Sequence, residues 1–396
     1  MSRLWDRGEP LDDLVLRYTA GEDAILDNHL VAHDIRASAA HAAMLHGRGF
    51  LSDEDHGALT AALADLAAGH ARGEWAVTVE DEDCHTAIEN RLVALAGDAG
   101  LAIHLGRSRN DQVLAAIRLW LLDALDDLAG VADAVASALD DLGVRQGEVP
   151  LPGYTHQQRA MPSTVGLWAG AFAAEIRDDA QGLRLARRRA DSNPLGSAAG
   201  YGVPELDLDR EATTRNLGFA ETHEPVTAVQ LSRGKAEAGA LFEATLLAQD
   251  LGRLAADLCL FATSEFGLVR LPAAFTTGSS MLPQKRNPDV FEIARGRTSE
   301  AAAALFEVLA VPAKMTSGYH RDLQLIKKPL FRGLDSVRDT AAILAHALPG
   351  VTFDPERCSA ALDPSMYAVH AANRLVRDEG IPFREAYRRV SQTMRR

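Results

Sequence analysis

The sequence predicts an all-α protein whose long helices pack as an extended bundle. Three observations carry that expectation: long proline-free runs, apolar residues recurring at steps of three and four within them, and a near absence of glycine-rich, period-2 segments. Prolines are missing between Pro10 and Pro150, between Pro162 and Pro194, between Pro225 and Pro272, and between Pro288 and Pro312. A proline inside a helix removes a hydrogen bond and clashes with the preceding turn, so its absence over such lengths leaves helices free to run.

The same punctuation divides the chain. Residues 1–105 read as shorter helices, broken at Gly47-Arg48-Gly49 and between Gly69 and Gly73. From Gln112 to Gly143, one helical face carries Val113, Ile117, Leu121, Leu125, Leu128, Val131, Val135, Leu139 and Leu142. Asp123, Asp126, Asp127, Asp133, Asp140 and Asp141 lie mostly off that face. A helix of this span is about 45 Å long. Val165–Ala190 and Val229–Thr263 read the same way, rich in Ala and Leu. Helices this long bury their stripes only against one another, which gives a central bundle over residues 106–352. A short helical tail, residues 353–396, is split by Pro364 and Pro382.

Composition excludes several classes of function. A chain of 396 residues exceeds the size at which one core stops growing, and 47% hydrophobic residues supply a sizeable interior. The formal charge of −14 argues against nucleic acid or an anionic membrane surface as partner. It also means that an anionic small molecule must be met by local clusters of Arg and Lys. Cys84, Cys259 and Cys358 are too few and too scattered for a disulfide framework or a zinc site. The opening MSRLWDRGEP carries charges where a secretory signal needs an apolar core. No stretch reaches the roughly 20 apolar residues of a membrane span. These features predict a cytoplasmic protein.

Polar chemistry concentrates in one loop and four further clusters. Thr277 to Glu292 reads TGSSMLPQKRNPDVFE. Gly278 frees the backbone there, while Pro283 and Pro288 each fix φ and remove a donor. The loop holds two hydroxyls (Ser279, Ser280), two cations (Lys285, Arg286) and a carboxamide (Asn287). Its ordinary reading is a polar turn before a helix, with Asn287 as N-cap, Pro288 at the first helical position and Asp289 in the first turn.

The other clusters lie at or next to the ends of helical runs. Glu82-Asp83-Cys84-His85, with Glu89 one turn beyond, reads by itself as a solvated acidic helix start. His104 to Gln112 (HLGRSRNDQ) opens the first long helix. It reads either as an ordinary N-cap with charges or as an anion site in which Arg109 grips a carboxylate through two parallel hydrogen bonds. Gly153 to Pro162 (GYTHQQRAMP) precedes the second long helix and carries a loop His156. Ser317 to Gln324 (SGYHRDLQ), followed by Lys327 and Lys328, reads as a charged turn between helices.

The pattern GSSxxPxKxNP resembles the signature loop of the fumarase/aspartase superfamily, whose members expel a group from a succinyl skeleton and release fumarate. Within it, the run Gly106 to Val113 (GRSRNDQV) is similar to the argininosuccinate lyase family in particular, as are GYTHxQxAxP and PQKxNPD. Leu4-Trp5-Asp6 and Gly318 to Gln324 resemble a bacterial branch of that family. The resemblance spans nearly the whole chain. It implies three mainly helical domains, whose central long-helix bundle assembles a homotetramer around a twenty-helix core. Active sites are then implied where segments of three subunits meet.

The reaction so implied is β-elimination of argininosuccinate to fumarate and arginine. Its hard step removes a proton beside a carboxylate, and the carbanion puts a second negative charge on that carboxylate. Such a step needs a strong base and donors already aimed at the developing charge. By position in the family motif, Ser279 is implied as the base and Lys285 as the group that stabilises its alkoxide. Lys285 and Asn287 are implied to hold the carboxylate whose charge grows. His156 and Glu292 are the implied histidine–carboxylate pair, in which the acid fixes the tautomer and raises the basicity of the ring. Thr155 is implied to bind a carboxylate. Ser108, Arg109 and Asn110 are implied at the succinyl and amino-acid carboxylates, and Tyr319, Gln324 and Lys327 over the arginine part. Asp27, Asp83 and His85 complete the implied substrate-binding set. The resemblance calls for no metal and no organic cofactor.

Several positions depart from the family pattern. Met281-Leu282 puts the methionine one place early, Asp23 stands where a serine is expected four before Asp27, and Leu105 replaces a threonine. His320 and Leu325 replace an asparagine and a glutamate, and fewer residues follow Phe383-Arg384-Glu385-Ala386 than in relatives. These changes touch the arginine end and the third domain more than the elimination. Adenylosuccinate lyase is the nearest alternative, since Lys285-Arg286-Asn287-Pro288 fits it too, and Gly106 to Val113 discriminates against it. A non-catalytic structural relative, as among lens crystallins, is disfavoured by the joint presence of Ser279, Lys285, His156 and Glu292.

Overall fold

The computed structural model describes residues 12–394, so Leu4-Trp5-Asp6 lies outside the described residues. The chain opens with helices α1 (Asp13–Ala20), α2 (Asp23–Leu26), α3 (Val31–Gly47), α4 (Asp53–Ala71), α5 (Cys84–Ala96) and α6 (Asp98–Ala102). The long helix α7 (Arg109–Gln146) leads into a hairpin of β1 (Pro150–Thr155) and β2 (Gln158–Thr164). Next come α8 (Val165–Arg187), β3 (Ser192–Asn193), α9 (Arg210–Leu217), β4 (Glu221–Thr222) and α10 (Ala228–Leu231). The long helices α11 (Lys235–Phe261), α12 (Asp289–Ala310) and α13 (Lys327–Ala347) follow, with β5 (Val269–Arg270) after the first. The tail holds β6 (Thr352–Phe353), α14 (Pro355–Ala360), α15 (Ala368–Glu379) and α16 (Phe383–Met394). The expected all-α bundle is borne out, and among the described residues the strands form two-stranded pairs.

The chain forms two compact units, and the division falls inside each of the long helices. The first unit comprises the residues up to Leu128 with Gly182–Ala244 and Glu300–Asp335. The second comprises Ala129–Gln181, Thr245–Ser299 and the residues from Ser336.

In the first unit, local sequence explains where helices begin. Ser52 caps α4 by accepting the Asp55 amide at 3.1 Å, and three acids in the first turn complement the helix dipole. At α7 the cap is reciprocal. The Ser108 hydroxyl accepts from the Asn110 amide at 3.3 Å, while the Asp111 carboxylate accepts from the Ser108 amide at 3.0 Å. Asp111 is fully buried, and its second oxygen takes the amides of Gly196 and Ala198 at 3.0 and 2.8 Å. One side chain thus joins a helix start to the loop that follows β3. Burial pushes its carboxyl up to about 6 against the pull of these amides and of Arg107.

Two elements differ from expectation. The run Val229–Thr263 is not one helix: it breaks between α10 and α11, where Gly234 takes φ +85°, a left-handed conformation that glycine adopts without strain. The first long helix starts at Arg109 and ends at Gln146, about a turn beyond the expected span at each end.

Helices of the first unit approach closely at Gly333 of α13. A Cβ placed there would sit 2.5 Å from Leu241 of α11 and 2.8 Å from Ala304 of α12. Gly333→Ala is therefore expected to destabilise the protein by about 1–3 kcal/mol through overpacking, read as a lowered melting temperature. An unchanged melting temperature would mean that the helices separate there at no cost.

The second unit holds an aromatic cluster in which half-buried Trp168 of α8 meets Phe172 and the buried Phe261 and Phe353. The indole N–H donates to Asp257 at 2.9 Å, so the half-buried ring has its one polar atom satisfied. Gln146 closes α7 onto the backbone of Phe353 with two hydrogen bonds, at 2.9 and 2.8 Å. The stretch Gly153–Pro162, expected as a loop before α8, is instead the end of the β1–β2 hairpin, with Thr155 paired to Gln158. His156 and Gln157 form its two-residue tip with φ +53° and +61°. That is the hairpin turn whose twist matches the flanking strands, here made without glycine.

Candidate active site

Eight of the residues implied by the family resemblance line one cavity of about 120 Å³ in the first unit. They are Asp27, Asp83, His85, Arg109, Asn110, Tyr319, Gln324 and Lys327. Ser108 lies one residue before α7 and caps it.

The Glu82–His85 cluster is not a solvated helix start. Glu82 and His85 are each 3% exposed, and Asp83 caps α5 by accepting the Thr86 amide at 2.8 Å. Distant partners make that burial tolerable. Arg109 donates to Asp83 at 2.6 Å, Arg321 to Glu82 at 2.8 Å, and His85 Nδ1 sits 2.9 Å from Asp34. Burial works to raise the Asp83 pKa, but His85, Arg109 and the Thr86 amide outweigh it and hold the carboxyl low. Burial likewise opposes charge on His85, but Asp34, with Asp83 and Asp27, raises its pKa above 6.5.

A histidine raised in the folded state adds stability that is complete below the unfolded value near 6.5. That stability is lost as pH rises through the higher folded pKa. The melting-temperature gap between the parent and His85→Gln is thus expected to be widest in mild acid and to narrow above neutrality. A gap that widens with pH would show His85 buried neutral.

Lys327, 3% exposed, is held by two acids, Asp27 at 2.5 Å and Asp23 at 2.9 Å. Burial opposes its charge, but the paired carboxylates raise its pKa. Asp27 also accepts the Cys84 amide at 3.1 Å. Asp23 is the weaker partner: its burial, against the pull of Lys327 and with the push of Asp27, lifts its carboxyl to about 7. The departure from serine at this position therefore places a second acid on the cavity lysine. Gln324 is engaged as well, donating to the carbonyls of Thr19 and Ala20 at 3.0 and 3.3 Å.

Sequence reasoning missed Arg233. It lies in the break between α10 and α11, is 4% exposed and lines the cavity, with Nε and Nη1 both buried and without a hydrogen-bond partner. Burial lowers its pKa, with Glu237 and Tyr319 acting the other way. The signal was the Ser232-Arg233-Gly234 interruption, which reads as in-phase helix when periodicity alone is followed. Glu82 and Arg321 also line the cavity.

The remaining implied residues belong to the second unit. Thr155 and His156 stand exposed at the hairpin tip, and Lys285 is exposed in the 277–287 loop. That loop is pinched at its base, where Thr277 and Asn287 exchange backbone hydrogen bonds at 3.2 and 2.9 Å. Ser279 Oγ accepts the amides of Met281 and Leu282 at 3.2 and 3.0 Å. The Pro288 carbonyl accepts from the Phe291 and Glu292 amides, so Pro288 rather than Asn287 stands at the cap of α12. Glu292 is exposed on the first turn, and among the described residues no hydrogen bond joins it to His156.

This helical fold is shared with fumarase-type lyases. The structure superimposes on a fumarate lyase:delta crystallin from Brucella melitensis with a TM-score of 0.80, at 21% identity over 97% of this chain and 93% of that one. For a class II fumarase from Schistosoma mansoni the TM-score is 0.79, at 16% identity over 95% and 91%. A family profile described as Lyase matches residues 10–302. Curated relatives include the argininosuccinate lyase of Sorangium cellulosum, 50% identical over 98% of this chain and 90% of that protein. That of Thermotoga neapolitana is 37% identical over 98% of both. The chain belongs to the argininosuccinate lyase family of the fumarase/aspartase superfamily. The expectation of a carbon–nitrogen lyase is borne out. Among the described residues no helix is long and apolar enough to cross a membrane.

Proposed function

We propose that this protein eliminates fumarate from argininosuccinate, releasing L-arginine, as a cytoplasmic step of arginine biosynthesis. The charge make-up of the cavity carries this reading. Arg109, Arg233, Arg321 and Lys327 face Asp23, Asp27, Glu82 and Asp83, and only Arg233 among these cations leaves buried donors unpartnered. Balanced walls with one unsatisfied guanidinium suit a zwitterionic amino-acid end together with a further carboxylate, in a chain whose overall charge repels anions.

In the proposed mechanism Ser279 takes the proton. Its oxygen already accepts two backbone amides, which stabilise a developing alkoxide as an oxyanion hole does. The Lys285 ammonium stabilises the alkoxide and, with the Asn287 carboxamide as a hydrogen-bond donor, holds the substrate carboxylate that becomes doubly charged. His156, with Glu292, orients or protonates the departing side, and Thr155 binds a carboxylate. Ser108, Arg109 and Asn110 meet the remaining carboxylates, and Tyr319, Gln324 and Lys327 the arginine end. Binding requires Gln324 and Lys327 to exchange protein partners for substrate.

We further propose a homotetramer with active sites shared between subunits, built on the three regions 1–105, 106–352 and 353–396. An open cavity of about 710 Å³ in the first unit supports assembly, since exposed Leu185, Leu231, Phe242 and Leu309 line it. The test is the absorbance of fumarate after the purified protein meets argininosuccinate, with adenylosuccinate in parallel. Fumarate from argininosuccinate alone is expected. A folded tetramer that turns over only adenylosuccinate, or neither, overturns the assignment.

A further inference from the structure

A separate cavity of the first unit, about 630 Å³ in volume, gathers cations that the lyase chemistry does not use. Arg118 of α7 forms its buried wall, 2% exposed. Its guanidinium donates only to neutral groups: the Ser192 carbonyl at 2.5 Å, the Ser192 hydroxyl at 2.9 Å and the Ser232 hydroxyl at 2.7 Å. Its Nε is buried without a partner. A buried guanidinium with no contacting counter-ion is costly, and an anion in front of it removes that cost.

The rim adds Arg188, Arg189 and Lys235, exposed side chains that make no ion pair among the described residues. Lys235 is also the first residue of the 27-residue helix α11, whose N-terminal dipole favours negative charge. Opposing acids are few. Glu221 and Glu224 line the rim, but Arg210 already holds Glu224, and Glu237, 1% exposed, lies outside the lining and acts on Arg118 through its charge. His223 supplies an independent sign. Its Nδ1 is buried without a partner, and burial together with Arg118, Arg210 and Lys235 presses its pKa down to about 4.

We propose that this cavity is a second binding site, distinct from the catalytic one, for a small polyanion bearing phosphate or clustered carboxylate groups. Arg118, fixed by two serines, supplies a pre-oriented fork, and Arg188, Arg189 and Lys235 complete the neutralisation.

The test is calorimetric titration of the assembled protein with pyrophosphate and, separately, citrate, at ionic strength held constant with potassium chloride. Saturable binding of one anion per chain is expected, persisting when fumarate fills the catalytic cavity. Arg189→Glu and Lys235→Glu, at residues that also line the cavity of about 710 Å³, are each expected to weaken it about tenfold or more. Arg188→Gln, outside that cavity, is expected to weaken it with unchanged fumarate release when no anion is added. Selectively labelled His223 should titrate nearer its ordinary value with the anion bound. Binding of pyrophosphate alone identifies a phosphate ligand, and of citrate alone a polycarboxylate.

The proposal fails if neither anion binds saturably, or if fumarate abolishes binding while the two charge reversals leave it intact. It fails equally if the reversals dissociate the assembly without altering anion affinity, since the cavity is then a subunit contact. A reversal that does both is replaced by Arg188→Gln, which removes one rim charge and is read in the same way.

Discussion

Ser279→Ala is expected to lower the rate of fumarate release about a thousandfold or more while leaving the fold and the melting temperature nearly unchanged. The hydroxyl makes no buried contact whose loss would unfold the protein. Its oxygen accepts the amides of Met281 and Leu282 on an exposed loop, and those amides reach water once it is gone. The loop keeps its base through the Thr277–Asn287 pairing, which does not involve the side chain. Single-turnover measurement of fumarate should therefore show a loss in the chemical step with substrate affinity retained. A variant with near-normal turnover would remove Ser279 as the base and turn attention to His156 and Lys285.

Lys327→Met is expected to act on both stability and binding. The substitution roughly keeps volume but leaves Asp23 and Asp27 facing each other without their cation. Breaking a buried ion pair from one side typically costs about 3–5 kcal/mol. Because Asp23 already sits near 7, it is the acid expected to take up a proton and soften the loss. Unfolding by urea should therefore show the variant least impaired below neutral pH and most impaired above it. Adding Asp23→Asn should recover part of the stability, while KM for argininosuccinate stays high because the lysine is still absent. Full stability in Lys327→Met at alkaline pH would mean that both acids are already neutral.

Much of the fold was readable because the apolar stripes of the long helices are dense and uninterrupted. Val113 to Leu142 belongs to such a stripe, and α7 follows it. Where reading failed, the deciding partners were remote or the local signal was ambiguous. Glu82, Asp83 and His85 look solvated in sequence because charge is normally exposed. Their burial depends on Asp34, Arg109 and Arg321, which the chain brings from elsewhere. The β1–β2 hairpin was hidden by Pro150, Pro152 and Pro162, which argue against a strand, and by a tip with no glycine. Arg233 was hidden by Val229 and Ala236, buried residues seven positions apart that keep the helical phase on either side of a break. The motif residues of the cavity were found through resemblance. Periodicity alone would have named none of them, since spacing does not reveal which helix ends share a wall.

The ion pair between Lys327 and Asp27 joins residues 300 positions apart. A ribosome adding residues in order therefore makes both acids of this pairing long before their cation. Until α13 emerges, Asp23 and Asp27 have no lysine to meet, and the Thr19 and Ala20 carbonyls lack their Gln324 donor. The segment from Thr19 to Asp27 is thus made early and locks late. A nascent polypeptide stopped just short of residue 327 has every other residue of this lining but not the cation of the Asp23–Asp27 pair. This wall of the cavity closes only once residue 327 has been added.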